Sequence, residues 1–278
     1  MDNIYYNTNF LKKEQLNISI DNRAFKYGDS FFETIKCISG NPIFWEDHYF
    51  RMAASFGVLK MNPPDHFDID NFQSIIKNLL QKNKLYNCSA RVRVSFFRTS
   101  GGYYLPNCRD VNFIIESEKL IQNKYYLNEH GLHVSIYKEN IIPKNILSNI
   151  KTNNKLLNTM ASIYVKENAY DDCLLINSDN NIVEAISGNI FIIKDGLIYT
   201  PPLLDGCLDG IMRKIICKEM RNYVQEKSIS FSHLLNADEV LITNVISGIK
   251  WVYKINKKIY KKHMSQDIID LINRKYLI

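Results

Sequence analysis

The sequence predicts a mixed α/β chain in two parts, and three observations carry that reading. Short β-rich runs alternate along the chain with windows in which apolar residues recur at helical spacing. A length of 278 residues is enough for one large or two medium domains, each with its own core. The composition, 46% hydrophobic and 23% charged, is that of an ordinary globular protein.

The first part reads as follows. Residues 16–20 (LNISI) predict a short strand. Residues 31–39 (FFETIKCIS) are β-rich and run into a Ser39-Gly40-Asn41-Pro42 turn, with a return strand at 43–45. From 46 to 58 the apolar residues Tyr49, Met52, Ala53 and Phe56 fall at helical spacing, until Pro63-Pro64 breaks the pattern. Residues 72–82 predict a second helix. Residues 90–97 (ARVRVSFF) and 111–116 (VNFIIE) predict strands joined through a Gly101-Gly102 loop. That completes an α/β unit at 1–118.

A connector follows at 119–126, and the second part, 127–278, opens with a strand at 132–137. Residues 151–170 form the longest helical pattern. Strands are predicted at 173–177, 181–185 and 189–193, with Asp195-Gly196 as a hairpin turn. Helices are predicted at 210–224 and 230–236, and a strand at 239–243. There is no internal repeat.

Several function classes are set aside by composition. No apolar run approaches the ~20 residues of a membrane helix. The start, Met1-Asp2-Asn3-Ile4-Tyr5-Tyr6, lacks a basic region followed by an apolar stretch, so a secretory leader is not expected. The six cysteines are scattered with no CxxC pair, which fits reduced thiols in a cytoplasmic protein and no metal site. The net charge of +6 is spread along the chain, and the densest basic run (Lys254, Lys257, Lys258, Lys261, Lys262) reads as a solvated face. No nucleic-acid motif is present, so neither nucleic acid nor membrane is an expected partner.

Three features combine into a chemical proposal. Lys151 offers an amine, Glu184 a carboxylate in an otherwise apolar run, and Leu208-Asp209-Gly210-Ile211-Met212-Arg213 a glycine-led helix start. Pyridoxal 5'-phosphate (PLP) needs a tether, a partner for its ring nitrogen and an anion site. Residue type alone ranks Lys151 level with Lys144, Lys155 and Lys166. A lone glutamate at a strand end more commonly faces water. Gly-Ile-Met-Arg by itself is more often an ordinary helix start.

The ordered motifs add a resemblance. They are Asp21-Asn22-Arg23-Ala24-Phe25-Lys26-Tyr27-Gly28-Asp29, similar to a DRAxxxGD opening; His48-Tyr49-Phe50-Arg51, similar to HxxR; Lys151-Thr152-Asn153-Asn154, similar to KxxN; Ile182-Val183-Glu184-Ala185 followed by Gly188-Asn189-Ile190-Phe191, similar to a VxE and NxF strand pair; Thr200-Pro201-Pro202; and Leu208 to Arg213. With these the chain resembles the class IV aminotransferase family, the fold type IV PLP enzymes. That family includes branched-chain aminotransferases, D-amino acid aminotransferases and 4-amino-4-deoxychorismate lyases. The resemblance implies a two-domain α/β (α+β) fold. A small N-terminal domain at 1–118 and a large PLP-binding domain at 127–278 would hold the cofactor between them. It also implies a homodimer acting on a small amino acid-like substrate.

Residue by residue, the resemblance makes Lys151 the Schiff-base lysine at the start of the first long helix of the large domain. The same amine would move the substrate proton. Glu184 becomes the partner of the pyridine nitrogen; being in an apolar strand, it needs a buried partner of its own. Phosphate donors are implied at Gly210, Ile211 and Met212 at the helix start, with Asp209 as its cap. Arg51 and the turn at Thr243-Asn244-Val245 supply further donors, Asn244 among them.

For the substrate, Arg91 and Arg93 lie two apart on a strand and share a face, with Arg98 at the strand end. One of them would meet a carboxylate, and the alternative is an exposed strand face. Phe32 stands where some relatives carry a substrate-facing tyrosine. The 99–104 loop (TSGGYY) would line the pocket mouth; it lacks the arginine and histidine of D-amino acid aminotransferases. Asn154 in KxxN, Leu156 where branched-chain enzymes carry a cofactor-contacting tyrosine, GIMR at 210–213 and the short chain favour the lyase. It splits 4-amino-4-deoxychorismate into 4-aminobenzoate and pyruvate for folate synthesis. A branched-chain-type aminotransferase is the alternative, and a non-catalytic PLP-fold binding module the second.

Overall fold

The computed structural model describes residues 2–277. The chain divides into two compact units. Among the described residues, unit 1 is 2–123 with Lys151–Asn154 and Leu277, and unit 2 comprises Lys124–Ile150 and Lys155–Tyr276.

Unit 1 opens with a hairpin, β1 (Asn3–Tyr6) and β2 (Asn9–Lys12), then α1 (Arg23–Tyr27), β3 (Ser30–Ile38), β4 (Asn41–Pro42), α2 (Trp45–Val58), α3 (Ile69–Lys82), β5 (Ser89–Arg98) and β6 (Val111–Leu120). The strands form an antiparallel sheet in the order β2-β1-β6-β5-β3-β4. Strand periodicity divides β3 cleanly. Phe31, Glu33, Ile35 and Cys37 share one face, and Phe32, Thr34 and Lys36 share the other. On the first face Phe31 meets Phe56 of α2 and Phe96 of β5 with ring centroids 5.0 Å apart, and Phe72 of α3 meets Phe113 of β6 at 5.2 Å. These edge-on and stacked rings are the core of the unit. The cross-strand pairs Thr34↔Arg93 and Lys36↔Arg91 put both arginines on the other face, with Phe32.

Unit 2 contains β7 (Leu132–Ile142), α4 (Leu156–Glu167), β8 (Asp172–Asn177), β9 (Ile182–Ala185), β10 (Asn189–Lys194), β11 (Leu197–Thr200), α5 (Ile211–Glu219), β12 (Val224–Glu226), α6 (Phe231–Asn236), β13 (Glu239–Asn244), β14 (Gly248–Ile255), β15 (Lys258–Ile259) and α7 (Met264–Tyr276). The strand order β10-β13-β14-β7-β8-β9 closes on itself, because Asn189 of β10 also pairs with Glu184 of β9. Strands β11 and β12 extend the sheet beyond β10. One cluster, including Val134, Leu174, Ile190, Val240 and Val252, packs against Leu234 of α6. A second joins Cys173, Leu175 and Val183 to Ala161 and Val165 of α4.

Four element boundaries differ from the sequence reading, each for a local reason. Residues 16–20 form no strand: Ile18 is 46% and Ile20 76% exposed, and the edge pairing is taken by the β1–β2 hairpin. The predicted return strand at 43–45 is cut short because Phe44 adopts a left-handed conformation and Trp45 begins α2. The helix expected from Lys151 starts at Leu156. Residues 151–154 are instead extended, with Phe32 N–H donating to Lys151 O, Asn153 N–H donating to Ser30 O, and Thr152 bridged to Phe31. The helix expected over 210–224 ends at Glu219, and Val224–Glu226 pairs in parallel with β11.

Candidate active site

In unit 1 the extended 151–154 segment places Lys151 against the open-face side chains of β3 and β5. Lys151 Nζ lies 4.7 Å from the centroid of the Phe32 ring. The Arg93 guanidinium carbon lies over the same ring at 3.7 Å. Arg93 is held further by Nε donating to Ser95 Oγ (3.1 Å) and an NH2 nitrogen donating to Asn153 Oδ1 (3.2 Å). An amine and a guanidinium thus share one aromatic ring. The ring face is electronegative and attracts both cations. The fork of Arg93 suits a planar carboxylate. Burial, then the neighbouring Arg91, draws its pKa below the ordinary value.

The other two arginines do different work. Arg91 pairs with Glu118 at 2.8 Å near solvent. Arg98 is 7% exposed; its Nε donates to Asp29 and its NH groups to Lys60 O and Leu59 O. It therefore closes the C-terminal end of α2, where a cation meets unpaired carbonyls favourably. Strand parity carries this difference: 98 is five residues from 93, so it leaves the opposite face. Asp29 also accepts from Arg23 Nε, and Arg23 NH1 donates to Gly101 O (3.0 Å) and Tyr103 O. Arg23 anchors the 99–104 loop, leaving Tyr103 and Tyr104 85% and 90% exposed.

Arg51 sits within a buried cluster on the helix-covered face. Glu33 Oε2 accepts from Arg51 Nε (2.9 Å), and Glu33 Oε1 accepts from an Arg51 NH2, from His48 Nδ1 (3.0 Å) and from Thr34 N–H (2.9 Å). Burial alone would push the Glu33 carboxyl up. The Arg51 guanidinium, with His48, outweighs it and holds the group well below the usual carboxylate range. Burial draws the His48 pKa below its ordinary value, despite the Glu33 charge beside it.

Unit 2 carries the remaining residues. Glu184, 9% exposed, accepts a hydrogen bond from Leu208 N–H at 2.8 Å, which supplies a partner for this buried carboxylate. Asn189, its cross-strand neighbour, donates to Leu208 O at 2.8 Å. The main chain of one residue, Leu208, is therefore gripped on both sides of its Cα by one row of the sheet. The helix cap is Gly210, not Asp209: Gly210 has φ −75° and ψ 137° and no side-chain cap bond closes the turn. A Cβ at Gly210 would lie 1.9 Å from Asn189 Oδ1, so a side chain there would push the Asn189 carboxamide off Leu208 O. Ile211 and Met212 open α5, whose first N–H groups and dipole favour an anion. Arg213 is structural, donating to Pro201 O and Glu226. Asn244 uses its carboxamide on protein groups. It donates to Ser187 O and accepts from Ile246 N–H and Ser247 N–H, shaping two turns.

Asn153, Asn189 and Glu33 were not among the candidate site residues. For Asn153 no sequence signal exists, since its role depends on the extended 151–154 segment. Asn189 lies in the NxF motif and Glu33 in a β run, but only the register shows what they hold.

The family model described as amino-transferase class IV matches residues 30–255. An aminodeoxychorismate lyase of Vibrio harveyi is 25% identical over 240 residues, 84% of this chain and 86% of that protein. A D-alanine aminotransferase of Staphylococcus epidermidis is 25% identical over 260 residues, 92% and 90% of the two chains. The branched-chain amino acid aminotransferase of Escherichia coli shares the fold with a TM-score of 0.87 at 23% identity, covering 99% of this chain and 94% of that one. A Legionella pneumophila structure provisionally assigned as a 4-amino-4-deoxychorismate lyase gives 0.83 at 26% identity, with 94% and 96% covered. On the strength of the match over 30–255, the chain belongs to the class IV aminotransferases, enzymes that work with pyridoxal 5'-phosphate.

Proposed function

We propose that this protein is a 4-amino-4-deoxychorismate lyase, forming 4-aminobenzoate and pyruvate. The observation that carries the reading is the Lys151–Phe32–Arg93 cluster: a proton-transferring amine beside a fixed guanidinium suits a substrate that presents an amine and a carboxylate. Asn154 of KxxN, Leu156, the GIMR sequence at 210–213 and the relatives from Vibrio harveyi and Legionella pneumophila support the lyase branch.

The residues fit the cofactor. Glu184 is a buried carboxylate already oriented by Leu208 N–H, suited to a protonated ring nitrogen. Gly210 to Met212 supply a helix start stripped of side-chain obstruction at its cap, suited to the phosphate. Arg51 is the side chain that the family resemblance gives as a phosphate donor, and within unit 2 Asn244 shapes the turn after β13. When bound, PLP supplies the electron sink for charge developing at the substrate carbon. Lys151 tethers the cofactor, and its Nζ takes the proton from the carbon bearing the amine. Breaking the ring carbon–oxygen bond then expels enolpyruvate, whose methylene carbon takes that proton to give pyruvate, and the ring becomes aromatic. No water or acceptor is consumed. Arg93 orients the carboxylate throughout.

An aminotransferase would use the same lysine and return its proton to the cofactor instead. The relatives of that type, at comparable identity, keep this second reading. The test is a product assay on PLP-loaded protein with 4-amino-4-deoxychorismate, beside glutamate and branched-chain amino acids with 2-oxo acids. 4-Aminobenzoate and pyruvate without an acceptor support the lyase. Amino transfer without aminobenzoate overturns it. Absence of PLP absorbance in the purified protein would instead indicate a non-catalytic binding module. The same reading implies a cytoplasmic homodimer, checked by sedimentation at assay concentration. Among the described residues no helix is long and apolar enough to cross a membrane.

A further inference from the structure

Arg51 of α2, the proposed phosphate donor, is held by two residues that the chemistry above does not use: Glu33 of β3 and His48 of α2. Glu33 is 1% and His48 0% exposed. A charged carboxylate at that depth is tolerated only if its acceptors are filled, and four donors fill them. His48 and Arg51 are three residues apart on α2, so they leave the same face of the helix toward Glu33. Because the carboxylate only accepts, His48 Nδ1 carries the proton. Its Nε2 is buried with no partner among the described residues. The pair with Arg51 is side-on: Nε and one NH2 are engaged, which fixes the plane of the guanidinium.

We propose that Glu33, itself held by His48, is a positioning residue that sets the plane of the Arg51 guanidinium for the cofactor phosphate. This rests on Arg51 being a phosphate donor. The benefit is preorganisation: an arginine already fixed loses less freedom when the anion arrives. Glu33 itself does not touch the phosphate.

The experiment compares dissociation constants for PLP and for pyridoxal, which lacks the phosphate, by absorbance and fluorescence titration. The proteins are full-length wild type, Glu33→Gln, Arg51→Ala and the double variant. For Glu33→Gln the PLP constant is expected to rise on the order of tenfold, with pyridoxal changed by less than about twofold. The double variant is expected to match Arg51→Ala alone, because Glu33 acts through Arg51. Equal loss for PLP and pyridoxal, or additive losses in the double variant, would overturn the positioning role. If Arg51→Ala keeps the wild-type preference for PLP over pyridoxal, the reading of Arg51 fails first and the proposal falls with it. Should Glu33→Gln fail to fold by circular dichroism, His48→Leu takes its place. It removes one donor to Glu33 without stranding a charge. A fall of about threefold in the PLP-to-pyridoxal preference supports the proposal, and an unchanged preference overturns it.

Discussion

Phe32 is the most informative side chain to change, because two proposed site residues lean on one ring. Phe32→Leu keeps the bulk of a buried residue and removes the aromatic face. Arg93 lies 3.7 Å from the ring centroid and is half-buried, which places its cation–π contribution at about 1 kcal/mol. At about 1.4 kcal/mol per decade, that predicts a rise of about fivefold in KM for a carboxylate-bearing substrate. Lys151, at 4.7 Å, loses a weaker contact, so kcat is expected to fall by less than KM rises. Stability should change by less than about 1.5 kcal/mol, since the swap roughly conserves volume. Steady-state kinetics on Phe32→Leu and Arg93→Ala, with melting curves for both, make the test. If Arg93→Ala raises KM while Phe32→Leu leaves it unchanged, the ring does not position the guanidinium. If neither moves KM, Arg93 is not the carboxylate receptor.

Three further outcomes follow from other parts of the molecule. Glu184→Gln should fold and keep an acceptor for Leu208 N–H, yet lose on the order of a hundredfold in kcat, measured by single-turnover kinetics; activity within about twofold of wild type contradicts its role at the ring nitrogen. Glu239, buried on β13, accepts from His263, Met264 and Ser265 N–H and so caps α7 from a distance. Glu239→Ala should cost about 3 kcal/mol and lower Tm by roughly 5–10 °C in calorimetry, and a drop under about 1 °C contradicts the cap. Burial pushes the Lys36 pKa down to about 8, against about 10.4 in the unfolded chain. Between those values the unfolded state binds more protons, so the wild type gains stability as pH rises through that window. Lys36→Met should therefore be more stable than wild type at pH 7, with the gap narrowing toward pH 10 in denaturant titrations; a gap that widens with pH refutes the assignment.

Much of the fold was legible because burial imposes a period on the residues. The helices α2 and α3 and the strands β3, β5, β8, β9 and β10 follow apolar spacing set by one covered face or by full burial. The errors lie where tertiary pairing overrode local preference. Lys151 heads a helical pattern, yet its main chain is recruited by β3, which delays the helix to Leu156. The run at 16–20 has strand-like residues but no edge left to pair with. β14 and α7 went unread because lysines and polar residues interrupt their apolar pattern. For the candidate site, the ordered motifs named Lys151, Glu184 and Gly210 as candidates. What could not be read was the surrounding hydrogen bonding: the Leu208 main chain between Glu184 and Asn189, the Asn153 amide on Arg93, and the carboxamide of Asn244 spent on its own turn. Those are register and side-chain geometry, which periodicity does not encode.

The central claim is that Lys151 is the tether for pyridoxal phosphate. The direct measurement is borohydride reduction of the PLP-loaded protein, followed by digestion and peptide mass mapping. The account predicts a phosphopyridoxyl mass on the peptide carrying Lys151, abolished in Lys151→Ala along with the visible absorbance. The label on Lys144, Lys155 or Lys36 instead, or its persistence in Lys151→Ala, would contradict it.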